Sequence, residues 1–337
     1  MHAGKERQLM QADEQDRQLL KVHNLRVEFA TKSSIFSRQK SSVKAVDGIS
    51  FDIKRGETLG LVGESGSGKT TAALAIARLL EASGGEVKLN DIDLFQLENE
   101  DLRRARTKLQ FIFQDPYSSL NPRKRAEEIV REPLDSLTDF DMAERQQIVD
   151  NLFQSVGLRH EQKKLFPHQF SGGQRQRLGI ARALSTNPEL VICDEAVSAL
   201  DVAVQAQILN LLKDLQANLG LTYLFISHDL GVVKHMCDSV VVMYMGKVVE
   251  HANREQLFSA PKHPYTKTLL NAVPKLDVAL DMTEVQNQMS KSATENSSVN
   301  GCKFFDRCPL SQPKCKEVAP ELGETQTGHW VACHMIS

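Results

Sequence analysis

Long apolar runs, surplus charge and an apolar N-terminal segment are all missing from this sequence. No stretch approaches the roughly 18 apolar residues that a membrane-spanning helix needs. Residues 1–20 are polar and charged, which excludes a signal-peptide core and predicts a polar N-terminal extension. The 41 Lys and Arg residues nearly balance the 43 Asp and Glu residues, so the net charge of −2 leaves no global electrostatic footprint for nucleic acid. We therefore expect a cytosolic protein that reaches a membrane only through a partner.

Cysteine is scarce, with six residues in 337, and its distribution is uneven. Cys193 and Cys237 are expected to be small apolar core residues. The other four fall near the C-terminus, at Cys302, Cys308, Cys315 and Cys333. Their C-x5-C-x6-C-x17-C spacing lacks the close pairs typical of structural zinc, whereas four thiolates commonly hold an iron–sulfur cluster. In a cytosolic protein this group predicts metal or redox chemistry before disulfides; zinc, reduced thiols and disulfides stay open as alternatives.

Apolar segments of strand length alternate with helical segments along the chain. Strands are predicted at residues 22–29, 43–53, 57–62, 190–193, 221–227 and 239–245. Helices are predicted at residues 69–80 and 204–219, and most of residues 97–165, with breaks at Pro116, Pro122 and Pro133. This alternation predicts an α/β protein whose largely parallel sheet is covered on both faces. Residues 275–300 lose the apolar pattern and are predicted to be a linker before a short Cys-rich extension, residues 301–337.

A glycine-rich loop lies between a predicted strand and a predicted helix. It is formed by Gly63, Glu64, Ser65, Gly66, Ser67, Gly68, Lys69 and Thr70, and it matches the phosphate-binding loop pattern in full. Glycines let successive backbone N–H groups point inward and form a nest for anions, and the following helix adds its positive N-terminal end. Lys69 would contact the β- and γ-phosphates, and the Thr70 hydroxyl would be a ligand of Mg²⁺.

Two carboxylates, Asp194 and Glu195, end the apolar strand at residues 190–193. Ligand chemistry in parallel sheets takes place at the carboxyl ends of strands. We therefore expect Asp194 to hold Mg²⁺, directly or through water, and Glu195 to polarise the attacking water.

A third motif identifies a family. It consists of Ser171, Gly172, Gly173 and Gln174 and continues into a predicted helix; Ser171 is a good N-cap, and the helix start is a second anion site. The motif resembles the signature of ABC ATPases, and with the other motifs the chain resembles that family over residues 22–270. The resemblance implies an ABC-type P-loop ATPase domain over residues 21–274, with a mixed-sheet core and a helical signature subdomain at about residues 115–185.

The resemblance also implies roles for single residues. Gln114 is similar to the glutamine that contacts Mg²⁺ and senses the membrane partner, and His228 is similar to the switch histidine. The predicted catalytic residues are therefore Glu195, His228, Gln114 and Lys69. Asp201 resembles the D-loop aspartate, which with the signature faces the nucleotide of the opposite subunit, and Thr71 would join the nucleotide site.

Adenine in this family usually stacks on an aromatic residue upstream of the phosphate loop. Two candidates, Phe29 and Phe36, are available here. Phe36 is the predicted stacking residue, because Phe29 in its strand could face the core instead.

Three segments resemble the oligopeptide/dipeptide (peptide/nickel) importers: residues 114–122, residues 263–274 and the Cys-rich tail. The resemblance implies an ATPase that powers import of di- or oligopeptides, with nickel, opines or oligosaccharides as alternative cargo. It also implies a [4Fe–4S] cluster held by the four tail cysteines. A soluble ABC ATPase acting outside transport is a further alternative, although such proteins usually carry two cassettes or a coiled-coil insertion.

The family mechanism implies several partners. Two ATPase domains bind two ATP molecules head to tail, with the phosphate loop of one domain facing the signature of the other. We expect two integral-membrane permeases, a second ATPase subunit that is a sister chain or a second copy, and indirectly an extracytoplasmic binding protein. The protein would then lie peripherally at the cytoplasmic face of the bacterial inner membrane.

Overall fold

The structure is a computed structural model that describes residues 18–30, 42–115, 117–272 and 300–336. The strands are β1 (Gln18–Ala30), β2 (Ser42–Lys54), β3 (Thr58–Val62), β4 (Gly84–Leu89), β5 (Ile92–Asp93), β6 (Leu109–Ile112), β7 (Leu190–Asp194), β8 (Thr222–Ser227), β9 (Ser239–Tyr244), β10 (Lys247–Asn253), β11 (Gly323–Gln326) and β12 (His329–Val331). In the described residues, no helix is both long enough and apolar enough to span a bilayer.

The α-helices follow the same chain order. They are α1 (Lys69–Ile76), α2 (Asn99–Lys108), α3 (Ala126–Leu137), α4 (Met142–Ser155), α5 (Gly172–Leu184), α6 (Val202–Leu219), α7 (Leu230–Met236), α8 (Arg254–Ser259), α9 (Pro264–Asn271) and α10 (Pro313–Glu317). Short 3₁₀ turns cover Leu94–Gln96, His160–Lys164, Pro167–Gln169 and Phe305–Arg307.

The main sheet has eight strands in the order β11-β12-β10-β9-β3-β8-β7-β6. From β9 to β6 the neighbouring strands run parallel, whereas β10, β12 and β11 are added antiparallel. The sheet is therefore mixed, which confirms the predicted mixed sheet of an α/β fold.

Helices and a second sheet cover the two faces of the main sheet. In β7, Val191 and Cys193 pack into one hydrophobic cluster, together with helices α3 to α6, whereas Leu190 and Ile192 pack into another. Every residue of β7 is buried as a result, and the strand therefore reads as a continuous apolar run rather than an alternating one.

The second sheet is antiparallel, with four strands in the order β2-β1-β4-β5. It packs over α1 and contributes to the second hydrophobic cluster, in which Leu20 and Val46 of this sheet meet Ala72 of α1. The sequence predicted β1 and β2 but not β4, because the Gly84–Leu89 segment has only two fully buried positions and little apolar pattern.

The region predicted as mostly helical, residues 97–165, contains α2, α3 and α4, but β6 interrupts it at Leu109–Ile112. That prediction was wrong at β6, because four residues are too few to show a period; the strand is defined by its pairing with β7. The break predicted at Pro133 was also wrong. Pro133 lies inside α3. The apolar face of this helix packs against α5, and the packing compensates for the backbone hydrogen bond that is lost because proline has no N–H group. Pro116 is outside the described residues.

The C-terminal segment, residues 300–336, is not a detached unit. Strand β12 pairs with β10, with Glu250 opposite Val331, and Phe304 is buried in the cluster of the main domain. The structure therefore does not support a separate Cys-rich extension. Most of the linker predicted at residues 275–300 lies outside the described residues, as does most of the N-terminal extension predicted at residues 1–20, since β1 begins at Gln18.

Candidate functional site

The phosphate-binding loop joins β3 to α1, as predicted, and its conformation requires glycine at two positions. Gly63 has a φ of 155°, and a Cβ atom there would lie 2.2 Å from the Met243 carbonyl oxygen. Gly68 has a φ of 101°, and its Cβ would lie 2.2 Å from the Ala45 oxygen. Both positions combine positive φ with close backbone contact, so any side chain would displace the loop.

Lys69 is buried within this loop. Its Nζ donates hydrogen bonds of 2.8 Å to the carbonyl oxygens of Gly63 and Glu64. Burial lowers the pKa of the ammonium, while the charges of Glu195, Asp194 and Glu64 act in the opposite direction. The ammonium lies at the start of α1, in position to donate a hydrogen bond to a bound phosphate.

Asp194 ends β7 and meets Thr70 from the loop. The Thr70 hydroxyl donates to Asp194 Oδ1 over 3.1 Å, and the carboxylate is 4% exposed. Burial raises the pKa of Asp194, and Glu195 raises it further, whereas the bond from Thr70 and the charge of Lys69 lower it. A hydroxyl and a buried carboxylate are hard oxygen donors of the kind that Mg²⁺ prefers, so these two residues fit the ion.

Glu195 lies between Gln114 and His228. Its Oε2 accepts a 2.7 Å hydrogen bond from Gln114 Nε2, and its Oε1 lies 3.0 Å from His228 Nδ1. Glu195 lies in the sharp turn after β7, where its backbone adopts a left-handed conformation with a φ of 46°. Three residues separated in sequence by up to 114 positions are thus within hydrogen-bonding contact, so the carboxylate is held in one orientation from both sides.

Of these groups, Lys69, Thr70, Gln114, Glu195 and His228 share one cleft. It is lined by Ala45, Ser65, Gly66, Gly68, Lys69, Thr70, Thr71, Gln114, Glu195 and His228. Polar groups from the ends of β3, β7 and β8 converge in it, as expected for a ligand site at the carboxyl ends of parallel strands. The arrangement can bind an oxyanion and a divalent cation, and it offers a carboxylate to a water molecule.

The signature residues lie elsewhere in the chain. Ser171 caps α5, since its Oγ accepts from the Gln174 backbone N–H while Gln174 Oε1 accepts from the Ser171 N–H. Asp201 caps α6 by accepting from Val204 N–H at 3.0 Å. Of the described residues that line the cleft, none belongs to the signature or is Asp201. The structure brings the loop and carboxylate residues together but does not bring the signature to them within one chain.

The structure does not test the adenine prediction, since Phe36 lies outside the described residues. The sequence suggested that Phe29 could face the core, but Phe29 is 44% exposed. Phe29 lies near the end of β1, beyond the part of the strand that contacts the core. The alternation of residue types there no longer indicates which side chains are buried.

The four tail cysteines line one cavity, together with Phe304 and other apolar residues. Burial raises the pKa of the Cys302, Cys308 and Cys333 thiols. All six cysteines are free, so the disulfide alternative was wrong. Across the described ranges, no three or more His, Cys, Asp or Glu side chains are placed to hold a metal ion, which gives no support to zinc or to a cluster.

Sequence reasoning missed two side chains that contact the phosphate-binding loop. The Tyr265 hydroxyl accepts a 2.8 Å hydrogen bond from the Glu64 backbone N–H, and Arg307 pairs with the Glu64 side chain. Tyr265 lies in one of the segments that indicated the subfamily, but nothing local relates it to a loop 201 positions earlier.

Two family models match the chain. Residues 46–198 match the model described as ABC transporter, and residues 249–315 match the model described as Oligopeptide/dipeptide transporter, C-terminal region. The first range contains the phosphate-binding loop, the signature and the Asp194–Glu195 pair. The second contains Tyr265, Arg307 and three of the tail cysteines.

Similar proteins extend these matches over the whole chain. The oligopeptide transport ATP-binding protein AppF of Bacillus subtilis is 45% identical over 324 residues, which cover 95% of this chain and 98% of the relative. A dimeric post-hydrolysis state of the ATP-binding cassette MJ0796, bound to ADP and Pi, has a TM-score of 0.62 and 28% identity, covering 70% of this chain and 99% of that one. The cassette cbiO1 from Clostridium perfringens, part of the cbiONQ ABC transporter complex, has a TM-score of 0.62 and 27% identity, covering 72% and 92%.

Proposed function

We infer that this chain, which belongs to the ABC transporter family, is the ATP-binding and ATP-hydrolysing subunit that powers import of di- or oligopeptides. It resembles an oligopeptide transport ATP-binding protein over nearly the full length of both chains. The observation that carries the proposal is the cleft that Lys69 and Glu195 line, with Asp194 hydrogen-bonded to the cleft residue Thr70. These groups correspond to the three needs of the reaction: phosphate binding, metal binding and activation of water.

Each group has a separate part in the proposed reaction. Lys69 and the loop N–H groups bind the phosphates. Thr70, Asp194 and Gln114 would hold Mg²⁺, which when bound would supply positive charge to offset that of the β- and γ-phosphates. Glu195 accepts a hydrogen bond from the attacking water and orients it in line with the γ-phosphate. His228 and Gln114 contact Glu195 in the structure, so they would fix the direction of its carboxylate.

The role of Glu195 can be tested by Glu195→Gln in the full-length protein. We expect turnover to fall by about 10²- to 10⁴-fold, because the amide no longer polarises water, while the Kd for Mg·ATP stays within about threefold. The matched control is Glu86→Gln on β4, an exposed carboxylate outside the cleft, which should hydrolyse ATP like the wild type. Unaltered turnover in Glu195→Gln would contradict this role.

The cleft of a single chain contains half of the predicted site, and this supports a paired arrangement. The signature residues Ser171 to Gln174 and Asp201 would complete the nucleotide site of a second ATPase domain, whose phosphate-binding loop would face them. A dimeric cassette of the same fold was solved with ADP and Pi bound. The second domain would be a sister chain, or a second copy of this one.

We place the ATPase pair on two integral-membrane permeases at the cytoplasmic face of the bacterial inner membrane, with an extracytoplasmic binding protein supplying the cargo. Purification of the native protein in mild detergent, followed by mass spectrometry, tests this arrangement. Recovery of multi-span permeases and a sister ATPase is the expected result. Recovery of ribosomal or DNA-repair proteins without any membrane protein would contradict the transport assignment.

We further propose that adenine stacks on Phe36 or on Phe29. Phe29 is 44% exposed near the end of β1, and Ala45, which lines the cleft, lies on the neighbouring strand β2. Aromatic rings stack on bases of any kind, because every base presents a π-face.

A [4Fe–4S] cluster on Cys302, Cys308, Cys315 and Cys333 is part of the same proposal. The support is that the four thiols line one cavity and that four thiolates are the usual donor set of such clusters. The cluster, when bound, would tie together a segment that has little apolar core of its own, and no step of ATP hydrolysis needs it.

The cluster can be tested by anaerobic purification, iron and sulfide analysis and an absorption spectrum. Brown protein with iron and sulfide, lost in Cys308→Ser but kept in the core control Cys193→Ala, is the expected result. Colourless, iron-free protein prepared without oxygen would rule the cluster out.

A further inference from the structure

Arg307 connects the C-terminal segment to the phosphate-binding loop. It ends the 3₁₀ turn Phe305–Arg307, next to Cys308. Its Nη1 and Nη2 donate to Glu64 Oε2 and Oε1, each over 2.9 Å, in a two-pronged ion pair that spans 243 positions of sequence. Planar pairs of this kind are the stronger and more directional form of charge-assisted hydrogen bond.

The surroundings of Arg307 hold it in this position. Its side chain is 13% exposed, and its guanidinium carbon lies 5.7 Å from the ring centre of Tyr244 and 5.6 Å from that of Phe304. Both rings are buried, and Phe304 belongs to the main hydrophobic cluster. The cation is thus fixed by aromatic contacts before it meets Glu64, so it loses little side-chain entropy in making the pair.

Glu64 is fixed at three points. Besides the Arg307 pair, its backbone N–H donates to Tyr265, and its backbone carbonyl accepts from Lys69 Nζ. Two of these partners, Tyr265 and Arg307, come from the C-terminal third of the chain. The second residue of the phosphate-binding loop is therefore held largely by residues far from the loop in sequence.

The charge of Glu64 matters because the loop receives anions. An unpaired carboxylate in the loop would repel the phosphates of a nucleotide, and the partly buried setting would screen this repulsion less than water does. Arg307 is the cation that pairs with that carboxylate. We propose that Arg307 is a positioning residue of the nucleotide site: it neutralises Glu64, so that the loop can accept a nucleoside polyphosphate without repulsion. This inference rests on the proposed binding of Mg·ATP at this loop.

The test is a double-mutant cycle in the full chain, in which the Kd for Mg·ADP and Mg·ATP is measured by calorimetry. Arg307→Gln should raise both Kd values about tenfold, equivalent to about 1.4 kcal/mol, because it leaves Glu64 unpaired. Glu64→Gln in the Arg307→Gln background should bring both Kd values back to within about threefold of the wild type, because the repelling charge is gone. The penalty of Arg307→Gln should also shrink as ionic strength rises.

The matched control is Arg103→Gln. Arg103 makes a similar two-pronged pair with Glu100 on α2, away from the cleft, and its loss should leave both Kd values unchanged. If Arg307→Gln only loosened the C-terminal segment, the Kd values would rise but Glu64→Gln would not restore them, and that result would overturn the proposal.

Glu64→Gln alone provides the test if Arg307→Gln does not fold. The proposal expects lower Kd values for this variant, because Arg307 is then an unpaired cation near the phosphates, and a Kd raised severalfold would overturn it. Failure of the inference and failure of the proposed function are distinguishable: wild-type protein that does not bind Mg·ATP would refute both. Wild-type protein that binds normally, with Arg307→Gln equal to it, would refute the inference alone.

Discussion

The side chains around the cleft differ in how readily the sequence alone predicts their roles. Lys69, Asp194 and Glu195 belong to motifs whose meaning depends on near neighbours: a glycine loop before a helix, or carboxylates after an apolar strand. The positions of Lys69 and Glu195 in the cleft, and the contact of Asp194 with Thr70, followed from those neighbours. Arg307 and Tyr265 have no such neighbours, and their contacts with Glu64 depend on the folded path of the chain.

Phe29 permits a prediction about the base rather than the phosphates. Phe29→Ala should weaken Mg·ATP binding by about 1–3 kcal/mol, roughly 5- to 150-fold, because it removes the stacking surface. Phe29→Tyr should keep wild-type affinity. The control is Val43→Ala, since Val43 lies opposite Phe29 on β2 and is similarly exposed. Equal affinities for Phe29→Ala and Val43→Ala would exclude Phe29 and leave Phe36 as the candidate for the adenine role.

At the scale of secondary structure, burial on two faces decided which elements could be predicted. Strands β3, β7 and β8 are buried on both faces and stand out as apolar runs. The short strand β6 and the largely polar β4 gain their structure from pairing with β7 and β1, and pairing leaves no periodic trace in a single segment. Pro133 is the opposite case. The local sequence predicts a break in the helix, but packing keeps α3 continuous through this residue.

Helix α9 carries a pH-dependent cap. His263 is 2% exposed, and its Nδ1 accepts the hydrogen bond from the Tyr265 backbone N–H that caps the helix. Burial lowers the pKa of His263 to about 4, although Glu250 acts in the opposite direction. The unfolded chain therefore takes up the proton more readily, so this stabilisation is complete above pH 6.5 and is lost as the pH falls towards about 4.

His263→Asn should remove that dependence while keeping a cap, because asparagine is a good N-cap that does not titrate. Between pH 7 and 5, we expect the variant to lose roughly 1–2 kcal/mol less free energy of unfolding than the wild type. Urea unfolding at several pH values measures this difference. His235→Asn, at an exposed position on α7, should show the pH dependence of the wild type. If His263→Asn shows that same dependence, the cap does not titrate in this range.

At the scale of the whole molecule, the separation of the signature from the cleft is the main feature. The sequence predicted both motifs and, through the family resemblance, their opposite placement, but no single chain contains the interface between them. The attachment of the C-terminal segment was not predictable either, because β10 and β12 are about 80 positions apart and residues 275–300 carry no apolar pattern.

Ser171 provides a test of pairing that separates helix capping from charge. Asp and Asn cap helices about as well as Ser does, so Ser171→Asp and Ser171→Asn should both keep the stability of α5. Only the aspartate would place a negative charge against the γ-phosphate bound to the opposite subunit. We expect Ser171→Asp to hydrolyse ATP at least about tenfold more slowly than Ser171→Asn, although the two bind Mg·ATP equally in the isolated chain. Equal turnover in both variants would argue against head-to-tail pairing.

The hairpin β11–β12 has a consequence for solubility. Without it, β10 would end the main sheet and offer its unpaired backbone groups to other chains, which is a common route to aggregation. With it, the outermost strand is β11, four mostly exposed residues that include Glu324. A protein cut before residue 300 should therefore precipitate even if its cleft is intact. Any proteolysis that removes the C-terminal segment would likewise leave a subunit prone to aggregate.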